Sequence, residues 1–151
     1  MEVQPVIENF EMKLNESAKD FLKEIAKWAY LLSIVGYIGI GFIVLVAFFA
    51  GTLFSAMGRM NSMFGDMGFM FGFFISFIYL VIAALYFFPV YYLNKFATNV
   101  KVALRDNDSE ALTTSLGYLK SHYKFIGIMM VIVFSIYFFL FFGMFVTQLL
   151  F

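Results

Sequence analysis

Few residues in this chain could do chemistry, and the densest group of them is a run of thioethers. Met57, Met60, Met63, Met67 and Met70 recur at spacings of three and four. Thioether sulfur is a soft ligand that suits Cu(I) or Ag(I). The same spacing also describes one face of a helical turn filled with flexible apolar side chains. With neither His nor Cys in company, we read the methionines as packing residues. Asp106, Asp108 and Glu110 form an acidic group that could attract a divalent cation, but two of them stand where a turn and a helix start call for acids. His122 is the single histidine. An imidazole titrates near neutrality and can sense pH, although its position before a long apolar run suits an interfacial polar residue equally well.

Other chemistry is excluded by what the apolar runs omit. Trp28–Gly58, Met67–Asn94 and Phe125–Phe151 contain no Lys, Arg, Asp, Glu or His. Ion and proton pathways need ionisable groups at membrane depth, where they are costly and kept for function. The runs therefore argue against a pump, a proton-coupled transporter or a charged-filter channel built from this chain alone. Neither a Ser–His nor an Asp pair is available for intramembrane proteolysis. The absence of Cys removes disulfides, thiolate metal sites and thiol catalysis. We expect no enzyme, no catalytic residue, no cofactor and no resident metal.

The elements that must position these residues follow from the same runs. Hydrophobic residues make up 63% of the 151 residues and charged ones 13%, against about 25% charged in soluble proteins. A helix over Met67–Asn94 would reach about 42 Å, beyond the ~30 Å hydrocarbon core of a bilayer. We predict an all-α integral membrane protein, one domain, with three transmembrane helices over 29–57, 67–94 and 125–151. Residues 1–28 form a cytoplasmic tail with an amphipathic helix, 58–66 an outer loop, and 95–124 a cytoplasmic helical hairpin. The first apolar run is far longer than the core of a signal peptide and should be retained.

Within residues 1–28, Leu14, Ala18, Phe21, Leu22, Ile25 and Ala29 make one apolar stripe. Glu16–Lys19, Asp20–Lys23 and Glu24–Lys27 can pair on the other face, and Asn15 or Ser17 can cap the start. The hairpin turns at Arg105-Asp-Asn-Asp-Ser, with Asp108 or Ser109 capping the next helix. Its stripe of Leu112, Leu116, Leu119, Tyr123 and Ile126 leads into the third span. The preferred arrangement buries these stripes in a small three-helix bundle.

Two rows of small residues point to close helix packing: Ala47, Gly51 and Ser55 in the first span, then Gly68, Gly72 and Ser76 in the second. Such rows let backbones approach where lipid gives no hydrophobic incentive to associate. Because both flank the short outer loop, they are expected to face each other, self-association being the competing use. Pro89 removes the hydrogen bond to the Leu85 carbonyl and should kink the second span, as a fixed bend or a hinge. Tyr79 and Tyr137 fall near the midplane, where their hydroxyls should find protein partners.

Of the ten Lys and Arg, all but Arg59 lie on the side of the N-terminus and the hairpin. The positive-inside rule places that side in the cytoplasm and the C-terminus outside. Trp28, Tyr91, Tyr92 and Tyr123, with Tyr30 and Tyr118, cluster at the same boundary as interface anchors.

At Lys27-Trp28-Ala29, Pro89 with Leu93 and Phe96, Ala103-Leu104, Asp108, Leu119-Lys120 and Gly127-Ile128, the chain resembles a family of small multi-pass bacterial inner-membrane proteins of unknown function. The resemblance covers roughly Leu14 to Ile136. It implies a bacterial inner-membrane location and no activity. The expected function is therefore contact: an accessory or scaffolding subunit of a larger membrane assembly, or a homo-oligomer. The expected partners are the lipid bilayer and other membrane subunits or itself, with no nucleic acid. A pore or transport component made of several copies, lined by Ser, Thr and Tyr, is the alternative.

Overall fold

In the computed structural model, residues 15–60 and 65–150 are described, apart from the side chains of 57–60, 65–69 and 149–150. These residues form three long helices: α1 (Glu16–Met60), α2 (Gly65–Asp106) and α3 (Ser109–Leu150). Their 45, 42 and 42 residues give lengths of about 63–68 Å, roughly twice a hydrocarbon core. All three are long and apolar enough to cross a membrane. The amphipathic segment and the first span are one helix, and each leg of the hairpin is continuous with its span.

Local chemistry sets the helix ends. Asn15 caps α1, its side-chain oxygen accepting from the Ala18 amide at 2.8 Å. Asn15, and not Ser17, is thus the cap. The reversal from α2 to α3 is very tight. Asn107 adopts a left-handed φ of 51°, a conformation that Asn tolerates better than most residues. The Asp108 amide donates back to the Ala103 carbonyl at 3.0 Å, closing a Schellman-type end. Asp108 then caps α3, its carboxylate accepting from the amides of Glu110 and Ala111 at 2.8 and 3.1 Å. Asp106 accepts two hydrogen bonds from Arg105, and Glu110 lies in the first turn of α3. The three acids are therefore employed separately, as turn and cap chemistry requires. Of the predicted pairs along α1 only Glu16–Lys19 forms, at 2.9 Å.

The core sits between the first turns of α1, the last turns of α2 and the start of α3, and is centred on α2. Ala26 and Ala29 of α1 meet Phe96, Ala97 and Val100 of α2, with Leu104, Tyr118 and Leu119 packed around them. Small residues on α1 bring its backbone near, so that Phe96 and Val100 are fully enclosed. Both α1 and α3 pack on α2, but among the described residues they do not approach each other. Residues of all three helices thus share one cluster, with α2 in the middle, as the expected small bundle requires. The α1 stripe splits accordingly: Ala26 and Ala29 are buried, while Phe21 and Ile25 remain exposed.

The C-terminal half of α3 takes no part in the packing among the described residues. Every residue from Met130 to Phe145 is exposed, including Phe134, Phe138, Phe139, Phe141, Phe142 and Phe145. This overturns the expectation for Tyr137, which lies on that free segment at 68% exposure. Among the described residues neither its hydroxyl nor that of Tyr79 makes a hydrogen bond, because no second helix carries a polar group to either.

Candidate functional site

Three features bind the helices to one another, and a groove opens between two of them. The first feature is the α1–α2 seam. A Cβ placed on Gly72 would lie 2.8 Å from the Gly51 carbonyl oxygen and 3.0 Å from Ser55 Oγ. One placed on Gly51 would lie 3.2 Å from Ser76 Cβ. Ser76 also donates across the seam to the Ala47 carbonyl at 2.8 Å, beside a buried Ala47. Gly51 and Gly72 therefore face each other within one chain, with Ala47, Ser55 and Ser76 lining the contact. Gly68 falls among the residues whose side-chain surroundings are not described. Further inward the chain uses the same device at Gly36, where a Cβ would come within 2.6 Å of Val90 Cγ2.

The second feature is a polar link between Ser33 and Asn94 at the other end of the same interface. Ser33 is fully buried. Its hydroxyl donates to the Tyr30 carbonyl at 2.7 Å and accepts from Asn94 Nδ2 at 2.9 Å. Most other Ser and Thr hydroxyls among the described residues, including Thr52, Thr98, Ser121, Ser135 and Thr147, bond back to carbonyls of their own helix. This satisfies the hydroxyl without linking helices.

The third feature ties α3 to α2. His122 Nδ1 lies 2.8 Å from the Pro89 carbonyl oxygen. A carbonyl can only accept, so Nδ1 carries the hydrogen, whether the ring is neutral or protonated. Phe88 packs on Phe125 at 5.9 Å beside it. Sequence reasoning gave Pro89 a bending role and His122 an interfacial one, and did not pair them. Helix α2 runs through Pro89 without ending. On the far side of α2, Lys95 stands 5.7 Å over the Tyr91 ring, and Tyr91 lies 6.0 Å from both Phe87 and Tyr92. Tyr91 and Tyr92 are half-buried, while Trp28 and Tyr123 are exposed.

Because α1 and α3 stand apart, a groove of about 480 Å³ opens between them over α2. Its walls include Phe21, Glu24 and Trp28 from α1 and Tyr123 from α3, and Leu93 and Phe96 form the floor. Glu24 is the one charged residue of the lining. The groove is open on one side and mostly apolar. The single imidazole is already committed at Nδ1 to a main-chain carbonyl.

The methionines give no site to describe. Met63 lies outside the described residues, and so do the side chains of Met57, Met60 and Met67; Met70 is exposed. Among the described residues no group of three or more His, Asp or Glu converges on one point. No protein-family model matches the chain, and neither a curated protein nor a solved structure is similar to it.

Proposed function

We propose that this chain is a three-span protein of a bacterial cytoplasmic membrane that works by contact, as an accessory or scaffolding subunit of a larger membrane assembly or of a homo-oligomer. The observation that carries this reading is the division of labour within the fold. The inner ends are cross-linked by Ser33–Asn94 and His122–Pro89, whereas α3 from Met130 to Phe145 offers an uncovered, phenylalanine-rich surface. Such a helix leaves its whole circumference to lipid or to helices of another chain. Ridge-and-groove packing between phenylalanine rings and small residues supplies the attraction in a solvent that is itself apolar.

The N-terminus and the α2–α3 turn face the cytoplasm in this reading, supported by the concentration of Lys and Arg on that side. Native mass spectrometry of the protein, gently extracted from its own membrane, tests the proposal. Other polypeptides in the heavier species identify it as a subunit, and multiples of 17.4 kDa identify a homo-oligomer. A bare monomer in every gentle detergent refutes both.

A further inference from the structure

We propose that the face of α3 turned away from α2 binds an anionic phospholipid, its phosphate between Lys120 and Lys124 and one acyl chain along Ile128 and Val131. The inference rests on the proposed placement of the apolar runs in a bilayer.

Two lysines at this spacing call for an anion between them. Positions i and i+4 of a helix stand about 6 Å apart, where like charges are destabilising. His122, midway between the two in sequence, points at α2 through its bond to Pro89, and a step of two residues turns a helix by about 200°. Lys120 and Lys124 therefore share the opposite face of α3, and both are exposed. Among the described residues no carboxylate serves them, the ion pairs being Lys19–Glu16 and Arg105–Asp106. Glu110, the nearest acid along α3, lies about 15 Å before Lys120, beyond the ~10 Å screening length of 0.1 M salt. Helix α1, with Glu24, does not approach α3. Gly117 on the same face looks onto open space, which leaves room for a phosphate at the lysine pair.

The rest of the face selects a lipid over a soluble phosphate. Lys124 is the last charged residue before the run that starts at Phe125. Ile128 and Val131 continue the face at steps of four and three, and both are exposed. Ser135 follows, but its hydroxyl donates back to the Val131 carbonyl at 2.8 Å, so nothing polar interrupts the path. From Lys124 to Ser135 the helix rises about 16 Å, close to half of a ~30 Å hydrocarbon core. Net charge selects among lipids: a zwitterionic headgroup brings an ammonium that the lysine pair repels, whereas a phosphatidylglycerol phosphate does not.

Trp28 is the single tryptophan of the chain, so Trp28→Phe combined with Ile128→Trp places one fluorophore on this face. The full-length protein is reconstituted into vesicles of phosphatidylcholine and phosphatidylglycerol in equal parts, with brominated acyl chains on one lipid or the other. Quenching should report about fivefold enrichment of the glycerol lipid, and the preference should shrink at high salt. Lys120→Gln with Lys124→Gln should bring the ratio to one while far-UV circular dichroism stays unchanged. Lys19→Gln with Lys23→Gln removes the same charge elsewhere and should leave the preference intact. Equal quenching by the two lipids, a preference that survives loss of Lys120 and Lys124, or one lost equally in the Lys19 and Lys23 variant overturns the proposal. Absence of quenching by either lipid would instead overturn the membrane placement on which it rests.

Discussion

The α-carbon of Gly72 approaches α1 so closely that a methyl group on it would lie 2.8 Å from the carbonyl oxygen of Gly51. The obstacle is backbone, which cannot swing aside as the end of a side chain can. Gly72→Ala should therefore force α1 and α2 apart locally and cost about 1–3 kcal/mol, the usual range for overpacking. Gly51→Ala meets Ser76 at 3.2 Å and should cost less. Gly39 and Gly41 face open space, so Ala there should be neutral or stabilising by up to about 1 kcal/mol through helix propensity. Unfolding in detergent, followed by circular dichroism, checks the order. Because the seam is intramolecular, the loss at Gly72 should not depend on protein concentration; a concentration-dependent loss would instead point to self-association through the row.

The two hydroxyls that reach across to a neighbouring helix should matter more than those that bond to their own. Ser76→Ala removes the bond to the Ala47 carbonyl and should destabilise by about 0.6–1.7 kcal/mol, the span measured for such bonds in membrane helices. Thr147→Ala or Ser135→Ala should change stability little, since each only releases a carbonyl of its own turn. A double-mutant cycle between Ser33 and Asn94 should return a coupling in the same range as Ser76. Additive single changes would show that the 2.9 Å contact contributes nothing.

These contrasts mark how far the sequence alone reaches. Helix identity, the cap at Asp108 and the small rows are local or periodic signals, and residue type with spacing was enough to read them. Pairings between distant positions are not. Ser33 meets Asn94 across 61 residues and His122 meets Pro89 across 33, and neither pair belongs to a period. Gly36 was legible as a small residue, but nothing marked Val90 as the side chain that would fill the space beside it. The amphipathic stripe of α1 likewise did not say how much of it would be covered. Periodicity says which residues share a face, and α2 alone is enough to cover Ala26 and Ala29 while Phe21 and Ile25 stay open.

Acid should reach Asp106 at the α2–α3 reversal only below the ordinary aspartate range, and without unfolding the turn. The Arg105 guanidinium, by hydrogen bonding and then by charge, holds the Asp106 carboxyl below its ordinary value. A depressed carboxyl contributes stability above its unfolded pKa, and that contribution is lost as pH falls through the lower folded value. Arg105→Ala should therefore raise the Asp106 titration midpoint, observed by carboxyl ¹³C NMR. Both groups are fully exposed, so water and salt screen the pair, and overall stability should barely change. A large acid sensitivity that disappears in the variant would contradict this.

The junction of α3 with the rest of the chain should depend on one imidazole hydrogen. His122 donates from Nδ1 to the Pro89 carbonyl, and ¹⁵N NMR of the ring should show the hydrogen on Nδ1 at neutral pH. His122→Phe keeps a ring of comparable bulk and removes the donor, leaving Phe88–Phe125 and the packing of Tyr118 and Leu119 to hold α3 in place. The expected cost is about 1–2 kcal/mol, felt as opening of α3 while the α1–α2 seam remains closed. Distance measurements between spin labels on Cys introduced into this Cys-free chain separate the two. A broader α2–α3 distribution with an unchanged α1–α2 distance is the predicted outcome. Broadening of both would mean that the three helices form one cooperative unit and that α3 helps hold the seam from behind.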